Sequence, residues 1–157
     1  MIDNMADLDR VRVECRSMVT KRSLASAAAA AVPLPGVDLA ADLGLMLELI
    51  PAINRRFGLS PEQIDQLDAQ TKSKLAVIVS SVGSNLIGTY VTKEVVIQLL
   101  KRAGISLGTA AAAKYVPFVG TAVASSLSFG VMKWLGNSHI EDCHAVLKRL
   151  IDKDQKD

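Results

Sequence analysis

Aromatic side chains are nearly missing from this 157-residue chain: it carries one Trp, two Tyr and three Phe, although half of its residues are apolar. A core drawn from such a composition must be made of Ala, Val, Leu and Ile from closely apposed helices, so the shortage points to an all-α fold. Long basic runs are lacking too. Eighteen basic and sixteen acidic residues leave a net charge of +2, and without aromatic interleaving this is a poor footprint for nucleic acid. Cysteine is scarce, with only Cys15 and Cys143 near opposite ends. Both lie on apolar stripes at helical spacing (Leu8, Val11, Cys15, Met18 and Ile140, Cys143, Leu147, Leu150), which reads as buried thiols and not as a disulfide framework. The stretch Met1 to Asp9 is acidic and lacks the basic-then-apolar order of a signal peptide, so a cytoplasmic location, or a peripheral one at the inner face of a membrane, is expected. The length suits a single domain spanning 1–157, with 1–5 and 152–157 frayed.

What the chain does have is an internal repeat. Ala27–Leu43 and Ala111–Leu127 match at a constant offset of 84 residues: Val32 with Val116, Pro33 with Pro117, Gly36 with Gly120, Ala40 with Ala124, Leu43 with Leu127. Each unit runs alanine-rich segment, proline, glycine, small-residue segment. Proline lacks an N–H and disfavours α geometry in the residue before it, whereas glycine turns freely, so each unit predicts helix, tight corner, helix. The corners fall at Pro33, Pro35 and Gly36 and at Pro117 and Gly120. The small residues beyond them would let two helix backbones approach closely, so the expected architecture is a compact multi-helix domain built around two cornered hairpins.

Hydrophobic period fills in the rest. A first helix covers about Ala6 to Thr20, and a second runs from Val37 to Phe57 with Pro51 inside it and Gly58 stopping it. Ser60-Pro61-Glu62-Gln63 is a helix start with Ser as N-cap, Pro at the first position and Gln three residues on. The pattern continues from there through Ile64, Leu67, Thr71 and Leu75 towards a break near Gly88. A further helix spans Val91 to Arg102. The last one is expected to begin at Asn137 to Glu141, where Ser138 and Glu141 have capping-box spacing.

Two stretches, Leu75–Thr92 and Tyr115–Met132, run 18 residues without Asp, Glu, Lys, Arg or His. A single span needs about 20 apolar residues. Serines and Asn85 dilute the first and Pro117 and Gly120 cut the second, so buried helices are the expected reading, with insertion kept as an alternative. The basic pair Lys101-Arg102 follows the apolar Val95–Leu100 run and is the candidate contact for anionic lipid.

Residues for chemistry are few. Gly83-Ser84-Asn85-Leu86-Ile87-Gly88-Thr89 has the glycine spacing of a phosphate loop but no lysine to hold phosphate, and it sits in a helical pattern, so helix packing is the expectation. His139 and Cys143, at i and i+4, could present two metal ligands on one face, but two ligands make no site. Asp38 and Asp42 share a face near a helix start, where carboxylates are favourable. No nucleophile has an identifiable base and orienting group, and no cofactor or metal is expected.

Val32-Pro33-Leu34-Pro35-Gly36-Val37-Asp38-Leu39-Ala40-Ala41-Asp42, with Phe57-Gly58-Leu59 and the run from Val116 to Ser128, resembles the helical region that follows the GTPase domain in immunity-related GTPases. The same region is similar to a bacterial counterpart of unknown function in inner-membrane and GTPase-linked proteins. The resemblance covers about Ala25 to Leu150 and implies an all-helical domain used for membrane association and protein contacts. The chain lacks the GTP-binding domain, so hydrolysis is not implied, and any GTPase partner would be a separate chain. The expected function is therefore a non-enzymatic helical module that binds a protein partner, or itself, and an anionic membrane. The alternative is a pore-forming effector or toxin domain that inserts its apolar hairpins; a small hydrolase ranks behind both.

Overall fold

In a computed structural model, residues 2–30, 37–102 and 119–155 are described, and all regular structure among them is α-helical. The helices are α1 (Met5–Ala30), α2 (Val37–Phe57), α3 (Pro61–Asp65), α4 (Ala69–Val82), α5 (Lys93–Arg102) and α6 (Val119–Asp154). The chain divides into two compact units. One combines Met1–Ser17, Ile50–Tyr90 and Asn137–Asp157; the other combines Met18–Leu49 and Val91–Gly136. The expected all-α class holds. Pro33, Pro35, Gly36 and Pro117, which carry the predicted corners, lie outside the described residues, and Gly120 falls in the first turn of α6.

Three sequence-based boundaries give way to longer-range or more local forces. The Asn4 side chain accepts from the Asp7 N–H at 2.9 Å, an N-cap contact that starts α1. The helix then runs ten residues past the expected end, through Lys21, Arg22, Leu24 and a run of alanines, all good helix formers. The segment beginning at Pro61 does not continue as one helix. Ser60 makes the predicted capping box with Gln63, but Asp68 caps a second start, accepting from the Thr71 N–H at 2.9 Å and from its hydroxyl at 2.6 Å. Local side-chain bonding of this kind competes directly with helix propagation. Lys72 Nζ donates to the Asp65 carbonyl at 2.7 Å, satisfying the end of the short α3.

The third correction concerns the last helix. No break occurs at Asn137 to Glu141, which lie in the middle of α6. Buried positions Met132, Leu135, His139, Ile140, Cys143, Val146, Leu147 and Leu150 run down one side of it at three- and four-residue steps. That unbroken stripe outweighs the local capping signal. Glu141, the expected capping-box partner, instead accepts from Arg12 Nε at 3.0 Å, from Arg12 Nη2, and from Arg16 Nη2 at 2.8 Å.

Gly136 shows how tightly helices meet inside the second unit. A methyl group there would lie 2.8 Å from Val19 Cγ2 and 3.3 Å from Leu49 Cδ2, so α1 and α2 occupy the space a side chain would need. Gly130, two turns earlier on α6, has no heavy atom within 4 Å of the same position. Opposite signs are therefore expected. Gly130→Ala should stabilise by about 0.5–1 kcal/mol through helix propensity, while Gly136→Ala should destabilise by about 1–3 kcal/mol through overpacking. Denaturant midpoints of the two variants check this directly, and a shift of the same sign in both would refute the close approach.

Candidate functional site

In the first unit, three side chains from separated parts of the sequence meet in a fully buried polar cluster. Ile50, Ile53 and Phe57 place the inner face of α2, and Asn54 stands on that face, one turn after Ile50. Its Nδ2 donates to the Leu86 carbonyl at 2.8 Å. His139 and Cys143 come from the buried stripe of α6. His139 Nε2 lies 2.9 Å from Asn54 Oδ1, and Cys143 Sγ lies 3.7 Å from both Asn54 Oδ1 and His139 Nε2. The protonation pattern follows from the acceptors. A carbonyl can only accept, so Asn54 must aim Nδ2 at Leu86 and Oδ1 at the ring, and the ring must carry its hydrogen on Nε2. His139 Nδ1 is left buried with no hydrogen-bond partner.

Burial dictates the charge states. The imidazole is pushed down from 6.5 to about 4 by desolvation. Burial likewise lifts the Cys15 thiol to about 11 and the Cys143 thiol well above its ordinary value. Cysteine, histidine and asparagine also make up a family of hydrolytic triads, but those require a thiolate–imidazolium pair open to substrate. Here the ring is 1% exposed and the thiol is closed off entirely. Desolvation drives both groups towards neutrality, so the cluster holds structure together and cannot generate a nucleophile. His139 and Cys143 do share one face, as their spacing implied. Among the described residues no group of three or more His, Cys, Asp or Glu could hold a metal.

What the cluster holds is the segment after α4. Gly83 ends that helix in left-handed geometry (φ 79°) and Gly88 repeats it (φ 69°). The glycine-spaced segment is thus a loop, not helix packing as expected, because both glycines turn the chain out of helical geometry. The loop folds Leu86 and Ile87 inward, where they are 8% and 5% exposed. The Gly88 N–H donates to the Leu59 carbonyl at 3.1 Å, and the Leu59 N–H donates to the Asn54 carbonyl at 2.8 Å. Asn54 therefore anchors the loop twice, through its side chain and through its backbone by way of Leu59. A methyl on Gly88 would come within 2.7 Å of Ile64 Cδ1.

Polar contacts on the outside of this unit are pairs of modest value. Arg10 meets Asp7 at 2.9 Å, Arg56 meets Glu14 at 2.9 Å and His144 meets Asp9 at 2.9 Å. Asp7, Arg10, Glu14, Arg55 and Arg56, with Ile2 and Gly58, line an open groove of about 460 Å³. Exposed pairs of this kind are worth about 0–1 kcal/mol each. Asn54 belongs to no cluster of chemical residues in the sequence, so spacing alone does not single it out. Its signal was there: a lone amide on an otherwise apolar helix stripe. Of the sequence-derived candidates, Lys101 and Arg102 form the end of α5, with side chains outside the described residues.

No family model matches the chain, and no solved structure matches it. Interferon-inducible GTPase 5 of Rattus norvegicus and the same protein of Bos taurus are each 27% identical over 146 residues, covering 89% of this chain and 31% of theirs. The chain is thus similar, at modest identity, to about a third of a protein named as a GTPase.

Proposed function

We propose that the chain is a non-enzymatic helical module that associates peripherally with a membrane surface and with protein partners. The observation that carries this reading is Trp134, the one tryptophan in the sequence, which stands 57% exposed on α6. Beside it, Lys133 Nζ sits 5.3 Å from the centre of the Phe129 ring. An exposed indole next to a lysine is the pairing that settles at a lipid headgroup boundary, the ring in the apolar edge and the ammonium among phosphates. No helix among the described residues is long and apolar enough to cross a membrane; pore formation is the alternative to surface docking. The relatives are GTPases by name, whereas this sequence contains no Gly-Lys pair of a phosphate loop. A GTPase on a separate chain is the corresponding partner proposal.

Anionic vesicles containing brominated lipid test the reading. Trp134 emission should shift to the blue and be quenched, and binding should fall as salt is raised. Lys101→Glu with Arg102→Glu should weaken it by about 1 kcal/mol for each charge removed from the surface. Binding that survives both high salt and carbonate extraction, with release of trapped dye, would replace docking by insertion. An unquenched Trp134 would remove the membrane role.

A further inference from the structure

Every direct partner of the Asn54 side chain except one is built into a helix. His139 and Cys143 belong to α6, whereas the Leu86 carbonyl belongs to the loop from Gly83 to Tyr90, which has left-handed glycines at two turns and two inward apolar side chains. The His139 ring stands behind this contact, with one nitrogen used and the other facing no acceptor. We propose that the three residues form an acid-sensitive latch: protonation of His139 adds an N–H and a charge that the closed site cannot accommodate, which drives the His139–Asn54–Leu86 relay open and releases the Gly83–Tyr90 loop, which then offers Leu86 and Ile87 to a lipid surface. The lipid half of this inference rests on the membrane reading above. The release of the loop does not.

The argument is one of proton donors. Neutral His139 needs a single acceptor, and Asn54 supplies it. The imidazolium carries a second N–H, on Nδ1, that meets no acceptor, together with a full charge in a buried site. The surrounding groups give no relief. Cys143 on α6 and Cys15 on α1 are thiols kept protonated by burial, α2 offers the neutral Asn54 amide, and the loop offers one carbonyl. Glu141 is taken up by Arg12 and Arg16, and burial raises the Asp142 carboxyl towards its neutral form; the downward shift of the ring follows from its own burial. Hydrating the ring requires something to move. The loop is held by the Asn54 contact, the Gly88–Leu59 hydrogen bond and two apolar side chains. The helices are held by their own backbone ladders, interrupted in α2 at Pro51, so the loop is the least costly element to open. Tyr90, at its end, is already 70% exposed and would lie beside the freed pair.

Amide hydrogen exchange at Gly88, corrected for intrinsic rates, reads the latch. With a ring that titrates at 6.5 when open and at about 4 when closed, the opening equilibrium should rise about thirty-fold between about pH 7.5 and about pH 5. His139→Gln keeps an amide donor for Asn54 but takes up no proton, so its exchange should show no such rise. Equal pH dependence in the two proteins overturns the latch, as does loss of far-UV helical signal in step with Gly88 exchange, which would mean global unfolding. If His139→Gln does not fold, the wild-type ring decides: an imidazole titrating near its ordinary value while Gly88 stays protected also overturns it. Vesicles of phosphatidylcholine and phosphatidylglycerol separate the two halves. Acid-enhanced binding that His139→Gln abolishes supports both, and loop opening without vesicle binding keeps the latch and overturns its lipid role.

Discussion

Replacing Asn54 with leucine is expected to cost about 2–5 kcal/mol, because it strands two buried groups at once. The Leu86 carbonyl loses its donor and the His139 N–H loses its acceptor, and each buried polar group left without a partner costs about 1–3 kcal/mol. Leucine fills a similar volume, so a cavity contributes little. The loop should report the change first, with Gly88 losing its protection ahead of the amides inside α2 and α6. Asn54→Asp sharpens the test. Its carboxylate can still accept from His139, but it has no N–H for Leu86. It should therefore open the loop while raising the imidazole's affinity for a proton, since an anion now faces the ring. A denaturant midpoint for Asn54→Leu within about 0.5 kcal/mol of wild type would show that the cluster does not hold the fold.

Acid should destabilise the folded chain in a window set by His139. Its folded value of about 4 lies below the 6.5 of an accessible histidine. Between those limits the unfolded chain binds a proton that the folded chain refuses, so stability rises with pH there. The contribution is fully present above about 6.5, declines as pH falls, and is exhausted near 4. The whole step amounts to about 3 kcal/mol, taking 1.36 kcal/mol per unit. Two carboxyls act nearby. Burial pushes Glu141 up, but the hydrogen bonds from Arg12 and Arg16 outweigh it and hold the carboxyl below its ordinary range, so its contribution is also lost on acidification, at lower pH. Asp142 is raised, chiefly by burial, and works in the opposite sense: the folded chain binds its proton first, which offsets part of the acid loss. Chemical denaturation across pH 4 to 7 in wild type and His139→Gln isolates the histidine. A curve of the same slope in both would assign the acid sensitivity to the carboxyls.

Much of the fold was legible in local order. The Val37–Phe57 helix, the Gly58 stop and the Ser60–Gln63 capping box follow from spacing and side-chain chemistry, and the structure contains all three. Cys15 and Cys143 fall on apolar stripes in the sequence and are buried free thiols in the structure. Boundaries failed where two local signals competed. Asp68 with Thr71 repeats the start signal of Ser60 with Gln63 only eight residues later, and the pattern of apolar positions ran on across both. At Ser138 and Glu141 a valid cap signal was present in the sequence and was not used.

The reason lies in what each residue meets. Composition and period are properties of the chain itself; they require helices, because a core poor in aromatics is filled by small aliphatic side chains at three- and four-residue steps. Whether Glu141 caps a helix or receives Arg12 and Arg16 depends on α1, which lies more than a hundred residues away in sequence. Asn54 looks like an ordinary polar residue until Leu86 and His139 arrive from either side, separated from it by 32 and 85 positions. Hydrogen-bond partners at such distances are chosen by packing, and only packing turned a lone amide, a neutral imidazole and a glycine-spaced loop into one connected site.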